Sequence, residues 1–368
     1  MFCSLACTRA SVYRQSPLDG GRRSADRPCS GLDTEGGHMR RLALGSLGGT
    51  LSMRVDAADV GIVPKVSAQM LAEVVPGLGR LAMVQTHTLG LSPSASLSWV
   101  DVLAARDWAG AMVDDGADGV VITQGTDTLE ESAYLLDLLW PHPQPMVLTG
   151  AMRGADAAGA DGPGNVLAAA IAALDPHTRM RGVVVAMQDR LYAADQVRKV
   201  HSLDLDAFQS PGKGCIGRVQ EGQCSYEGSP PERLPALVPT RVHQRIAMLE
   251  AVLGEGPEVL HSVLESGCEG LVVAAMGAGH VPSSWVEPLA RAAVHRPVII
   301  ASRTGAGATA RRTYGFAGSE IHLQRRGLLM AGSLCPRKCR LLLWALIGSN
   351  ALGSLQQRLQ AYGGGNGS

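Results

Sequence analysis

Residues Gly119–Trp140 read GVVITQGTDTLEESAYLLDLLW, and this stretch decides the fold. GVVIT (Gly119–Thr123) is apolar without alternation, the pattern of a strand covered on both faces. LEESAYLLDLLW repeats its apolar residues at helical spacing. Between them, Gln124–Thr128 is short and polar. Strand, polar turn and helix in this order make one βα unit, the building block of a parallel sheet.

The same grammar extends outward. Apolar runs recur at Arg41–Leu47 (RLALGSL), Pro145–Gly150 (PMVLTG) and Gly182–Met187 (GVVVAM). Trp99–Val113 (WVDVLAARDWAGAMV) reads as a helix with Ser98 as N-cap. Glu227–Arg241 (EGSPPERLPALVPTR) is Pro-rich and reads as a linker. Beyond it come RIAMLEAV, a helix near Val259, GLVVAAM, a helix from Ser284, and PVIIAS. PRKCRLLLWALIG then opens with Pro336 at the first helical position. The expected fold class is α/β: a larger N-terminal domain with a mostly parallel sheet flanked by helices, plus a smaller C-terminal α/β domain. The expected boundaries are a disordered tail at 1–38, a catalytic domain at 39–227, a linker at 228–243 and the second domain at 244–368.

Composition excludes several functions. The 368 residues carry 33 basic and 33 acidic side chains, so no electrostatic footprint for nucleic acid or an anionic membrane is expected. The apolar run around Leu341–Ile347 is far too short to span a bilayer. MFCSLACTRASVYRQ (Met1–Gln15) lacks the apolar core of a secretory signal. The eight cysteines include no C-x-x-C pair, and Cys335 with Cys339, one helical turn apart, reads as packing. A cytoplasmic location is the expectation.

Ligands of open α/β sheets sit beyond the carboxyl ends of the strands, so the loops leaving strands are the ones to inspect. RLALGSL runs into Gly48-Gly49-Thr50. Two glycines permit a sharp turn and a close backbone approach, presenting a hydroxyl beside free N–H groups, the makings of a nucleophile and an oxyanion site. The same tripeptide also suits an ordinary turn. After GVVIT, Thr126, Asp127 and Thr128 stand at a helix N-terminus; plain capping by Asp127 or Thr128 is the alternative to a site.

Several ordered motifs resemble the bacterial-type L-asparaginases. GSLGGT (Gly45–Thr50) and ITQGTDTLEESAYLLDLL (Ile122–Leu139) are similar to that family's two signature regions. LTGAMR, GADGPGN, DQVRKVHSLDLDAF, ASRTGAGATARRTYGF and AGSLCPRKCRLLLWAL follow in the family's order. The resemblance implies hydrolysis of asparagine to aspartate and ammonia through a β-aspartyl ester on Thr50. It implies Thr126 as the second catalytic threonine, Lys199 as its paired lysine, and Asp127 as the aspartate that binds the substrate ammonium. Ser94, with Ser92 and Ser96 nearby, fits the serine that holds the substrate carboxylate. Ala151 and the GADGPGN loop line the site, Ala151 through backbone and shape alone, with Asp161 structural. Neither metal nor organic cofactor is implied, and the expected assembly is a homo-oligomer, a tetramer of close dimers.

The chain departs from this family in three places. Leu51–Gln69 (LSMRVDAADVGIVPKVSAQ) has no counterpart of the lid tyrosine, leaving Asp56 and Asp59 as the ionisable acceptors before Lys65. The interface glutamate has no match, its region offering Arg311, Arg312 and Tyr314 instead. The asparagine of the late Gly-rich motif is replaced by His280 in MGAGH. Tyr314 can therefore stand in for the lid phenol, or simply pack beside Phe316. The competing functions are a relaxed hydrolase of glutamine or another small amide, and a degenerate homologue that binds an amino acid without turnover. An amidotransferase subunit would need an added RNA-binding domain.

Overall fold

The computed structural model describes residues 39–56, 61–64 and 66–363. The tail expected at 1–38 and the acceptors Asp59 and Lys65 lie outside the described residues.

The first half forms an eight-stranded sheet. Its parallel strands are β1 (Arg41–Ser46), β4 (Met83–Thr88), β5 (Gly119–Thr123), β6 (Met146–Thr149) and β7 (Val183–Met187). Three antiparallel strands extend it: β8 (Arg190–Ala193), β11 (Gly217–Gln220) and β12 (Gln223–Tyr226). The spatial order is β12-β11-β8-β7-β6-β5-β1-β4. Strands β5, β6 and β7 are buried along their whole lengths because helices cover both faces. One face carries α3 (Trp99–Asp114) and α4 (Leu129–Leu139), which enclose Ala43, Val120, Ile122 and Leu148. The other carries α1 (Ala68–Val74), α2 (Leu78–Leu81) and α5 (Gly162–Leu174), which enclose Leu42, Leu44, Val121 and Val147. The alternation of neighbours along β1 and β5 between the two cores is the period-two geometry of a strand.

Ser98 caps α3 as read from the sequence, the Asp101 carboxylate accepting the Ser98 N–H at 2.7 Å. Two short pairs stand outside the large sheet: β2 (Met53–Asp56) with β3 (Gly61–Pro64), and β9 (Arg198–Lys199) with β10 (Phe208–Gln209). Residues 227–240 contain neither strand nor helix.

A second, smaller sheet follows, all parallel in the order β13 (Ile246–Glu250), β14 (Gly270–Ala275), β15 (Val298–Ser302) and β16 (Leu329–Met330). Helices α6 (Glu258–Glu265), α7 (Ser283–His295) and α8 (Glu320–Arg325) cover one face, around Leu271, Val273 and Ile300. The other face receives α9 (Pro336–Gly348), which also packs on α4. Helix α9 is nearly all buried and serves two sheets at once; Trp344 stacks on Trp99 of α3 with ring centroids 4.6 Å apart. A last helix, α10 (Leu355–Gly363), closes the described chain.

The strand order places the site. From β1 the chain moves to β4 on one side, then returns to β5 on the other. The turns leaving β1 and β5 therefore diverge at a topological switch point, where open α/β sheets leave a crevice.

Candidate active site

Both loops singled out in the sequence open from that crevice. The ends of β1 and β5 are tied by the Leu47 N–H, which donates to the Thr123 carbonyl at 2.8 Å. Gly48 and Gly49 then take φ of +96° and +87°, a region that favours glycine. Thr50 follows at the start of a 3-10 turn, Thr50–Ser52, half-buried. Leu51 anchors this turn, packing in the core beside Ala151.

The two loops touch through glycine. A Cβ on Gly49 would lie 2.0 Å from the Gly125 nitrogen, and one on Gly125 would lie 2.7 Å from Ser94 Oγ. Only bare backbone fits between the loops. The Thr50 turn, Ser94 and the Thr126 turn are thereby drawn into one place, although they are far apart in sequence.

Thr126 is buried at 5% exposure, and its Oγ1 accepts a hydrogen bond from Lys199 Nζ at 2.9 Å. The same ammonium donates to Asp127 Oδ1 at 2.7 Å. The Lys199 side chain is largely enclosed while the Asp127 carboxylate faces solvent. Neither Asp127 nor Thr128 caps α4 with its side chain: the Thr128 hydroxyl donates to the Ser94 carbonyl at 3.0 Å, and Asp127 is engaged by Lys199. The capping alternative is therefore not what these residues do. The buried Ser94 accepts the Asp127 N–H on its Oγ at 3.2 Å, which leaves the hydroxyl proton free to donate.

Ala151 is buried. Asp161 has a structural role: its carboxylate receives the N–H groups of Met152 and Arg153, at 3.0 and 2.9 Å, and the Asn165 amide at 3.0 Å. Among the described residues, no cluster of His, Cys, Asp and Glu could hold a metal ion.

His280 and Tyr314 lie in the loops that follow β14 and β15 of the second sheet. Their rings meet edge to face at 4.9 Å, and Phe316 meets His280 at 5.0 Å. His280 Nε2 stands 3.3 Å from the fully buried Glu320 carboxylate. Burial pushes that carboxyl up, but the N–H groups of Tyr314 and Thr313 outweigh it and hold it below the usual range. Within this chain the Tyr314 ring packs against His280 and Phe316.

Sequence reading missed two residues that border Lys199. Glu130, 2% exposed, accepts the Lys199 N–H on one carboxylate oxygen and Arg337 Nε on the other, the latter at 2.7 Å. The signal was present in the Glu130-Glu131 pair one residue beyond the Thr-Asp-Thr turn, but it resembled an ordinary acidic first helical turn.

The chain matches two family models, asparaginase N-terminal over residues 41–232 and glutaminase/asparaginase C-terminal domain over residues 245–358. It is 37% identical to a protein of Deinococcus radiodurans named probable L-asparaginase, across 85% of this chain and 94% of that one. It is 31% identical to a probable periplasmic L-asparaginase of Haemophilus influenzae, across 76% of this chain and 80% of that one. Its fold is similar to the crystal structure of a probable cytoplasmic L-asparaginase from Campylobacter jejuni. That likeness has a TM-score of 0.77 at 29% identity and covers 88% of this chain and all of the other.

Proposed function

The chain belongs to the bacterial-type L-asparaginase family of amidohydrolases, and on that premise we propose that it hydrolyses L-asparagine to L-aspartate and ammonia through a threonine ester. Thr50 Oγ attacks the side-chain amide carbon. The C–N bond breaks, the threonine proton passes to the departing nitrogen, and ammonia leaves. Water then attacks the β-aspartyl ester, releasing aspartate and restoring the Thr50 hydroxyl. In this reading the Gly49 and Thr50 N–H groups take the developing oxyanion, that of Gly48 being held by Ser46 Oγ. Asp127 takes the substrate ammonium and the Ser94 hydroxyl its carboxylate, while Ala151 shapes the pocket. Lys199 and Thr126 relay the proton or offset developing charge.

The observation that carries this reading is the triad of Lys199, Thr126 and Asp127, with bonds of 2.9 and 2.7 Å, set against the Thr50 turn by the glycine contact. An ammonia-release assay tests it. Turnover on asparagine well above that on glutamine is expected; no ammonia from asparagine would reject the proposal. Glutamine belongs in the same assay because the matched C-terminal family joins glutaminases with asparaginases, and one methylene is hard to exclude by shape alone.

The domain boundaries at 39–227, 228–243 and 244–368 belong to this reading, as do a cytoplasmic location and a homotetramer. Cys215, Cys224, Cys268, Cys335 and Cys339 are free thiols, which suits a reducing compartment. No helix among the described residues is long and apolar enough to cross a membrane. Light scattering that found only monomer at working concentration would count against the tetramer.

A further inference from the structure

Lys199 sits on β9, two residues long, whose one strand partner among the described residues is the two-residue β10. So short a ladder is marginal by itself. A lysine also carries much rotamer entropy in its four-carbon stem. Something beyond strand pairing must fix this backbone if Nζ is to stay within hydrogen-bond reach of Thr126.

Three ionic side chains do so. The Glu130 carboxylate, at the start of α4, accepts the Lys199 N–H. Arg337, in the first turn of α9, holds the other oxygen of that carboxylate with its Nε at 2.7 Å. Next in α9, the fully buried Lys338 donates from Nζ to the Val197 carbonyl at 2.6 Å. Arg198, between them in sequence, reaches the Gly305 carbonyl of the second sheet's loops. Val197, Arg198 and Lys199 are thus gripped in succession, Val197 directly by the N-terminal turn of α9 and Lys199 through Glu130, which that turn holds.

We infer that Glu130 and Arg337 are positioning residues for Lys199, a charged clasp through which α9 sets the place of the lysine amine. The inference rests on the proposal that Lys199 acts in turnover. Glu130 is buried and would be an unpaired carboxylate without Arg337, so the two act as a unit. Loss of Arg337 frees Glu130 to turn toward solvent and releases the Lys199 backbone. A shift of the amine by about 1 Å is enough to cost a large factor in rate.

The test is a double-mutant comparison on the full chain, with kcat and KM for asparagine read from ammonia release. Although the Glu130 carboxylate left unpaired should lower the melting temperature, Arg337 is partly exposed and Arg337→Met should still fold. It should lower kcat about tenfold and leave KM within about twofold, because the substrate-holding groups are untouched. Arg337→Lys should recover most of that loss, and Glu130→Gln should resemble Arg337→Met. In a Lys199→Met background, Arg337→Met should cost less than about twofold, since the group it positions is gone. Equal losses in both backgrounds would overturn the inference, as would parental kcat in Arg337→Met beside a crippled Lys199→Met. Parental kcat in Lys199→Met would instead overturn the role of the lysine, and the clasp's purpose with it.

Discussion

A threonine hydroxyl is a poor nucleophile until a neighbour takes its proton, so the sharpest tests concern single side chains. Thr50→Ala should cut turnover by about a thousandfold or more. The melting temperature should hold, because Thr50 is half-buried and Leu51 supplies the anchoring contact. Retained activity in that variant would remove Thr50 from the chemistry. Lys199→Met and Asp127→Ala should separate: the first lowers kcat, while the second chiefly raises KM, since the Asp127 carboxylate is the solvent-facing member of the pair. Steady-state kinetics on both variants would show whether the split exists. Tyr314→Phe should leave kcat within about twofold, because the ring's recorded contacts are with His280 and Phe316. A large fall in kcat would return the phenol to the reaction. At this scale the sequence was readable where a residue stood inside an ordered motif. Thr50, Thr126, Asp127 and Lys199 could be named as candidates before any geometry. Glu130 and Arg337 could not, because an ion pair between residues 207 positions apart leaves no pattern that links them.

The elements divide in the same way. Strands β1, β5, β6, β7, β14 and β15 were legible because burial on both faces writes an unbroken apolar run. Strands β8, β11 and β12 were not. RLYA, GRVQ and QCSY are short and half polar, and they pair at the edge of the sheet through contacts that no local spacing reveals. Strand β9 is two charged residues, Arg-Lys, whose extended form is imposed by its neighbours. The glycine contact between the Thr50 and Thr126 loops offers a test at this scale. Gly49→Ala would place a methyl 2.0 Å from the Gly125 nitrogen, on a backbone that already has φ of +87°. The left-handed conformation alone costs an alanine about 1–2 kcal/mol, and the overlap adds to it. We expect a melting temperature lower by several degrees and activity lost by more than the stability change explains, since the loops must part. Calorimetry and kinetics on Gly49→Ala check both; parental values would mean that the loops do not meet.

Over the whole molecule, the junction of the two sheets contains a cavity of about 300 Å³ lined by Asp195, Arg198, Gly305, Ser333, Lys338 and Tyr362. Burial pushes the Asp195 carboxyl from its ordinary 3.8 up to about 6, against the pull of Lys338. The folded state therefore binds this proton more tightly than the unfolded chain, and between those two pH values folding takes up protons. The sign follows: this group favours the fold most below about pH 4, and that contribution is lost as pH rises through 6. Asp195→Asn should raise the melting temperature at pH 7.5, have little effect at pH 4, and flatten the profile between. A melting series across that range would show it; equal shifts at both ends would mean that the carboxyl titrates normally.

Helix α9 also has a consequence in time. The ribosome releases the Thr50 turn early and α4 about ninety residues later, but α9, which covers α4 and clasps the Lys199 strand, emerges roughly two hundred residues after that. At ordinary synthesis rates this is an interval on the order of ten seconds or more. Throughout it the Thr50 turn is already made while the Lys199 strand lacks its clasp, with an apolar helix face still uncovered. Catalytic competence thus arrives late in translation, and messages cut short before Pro336 should yield an inert, sticky product rather than a slower enzyme.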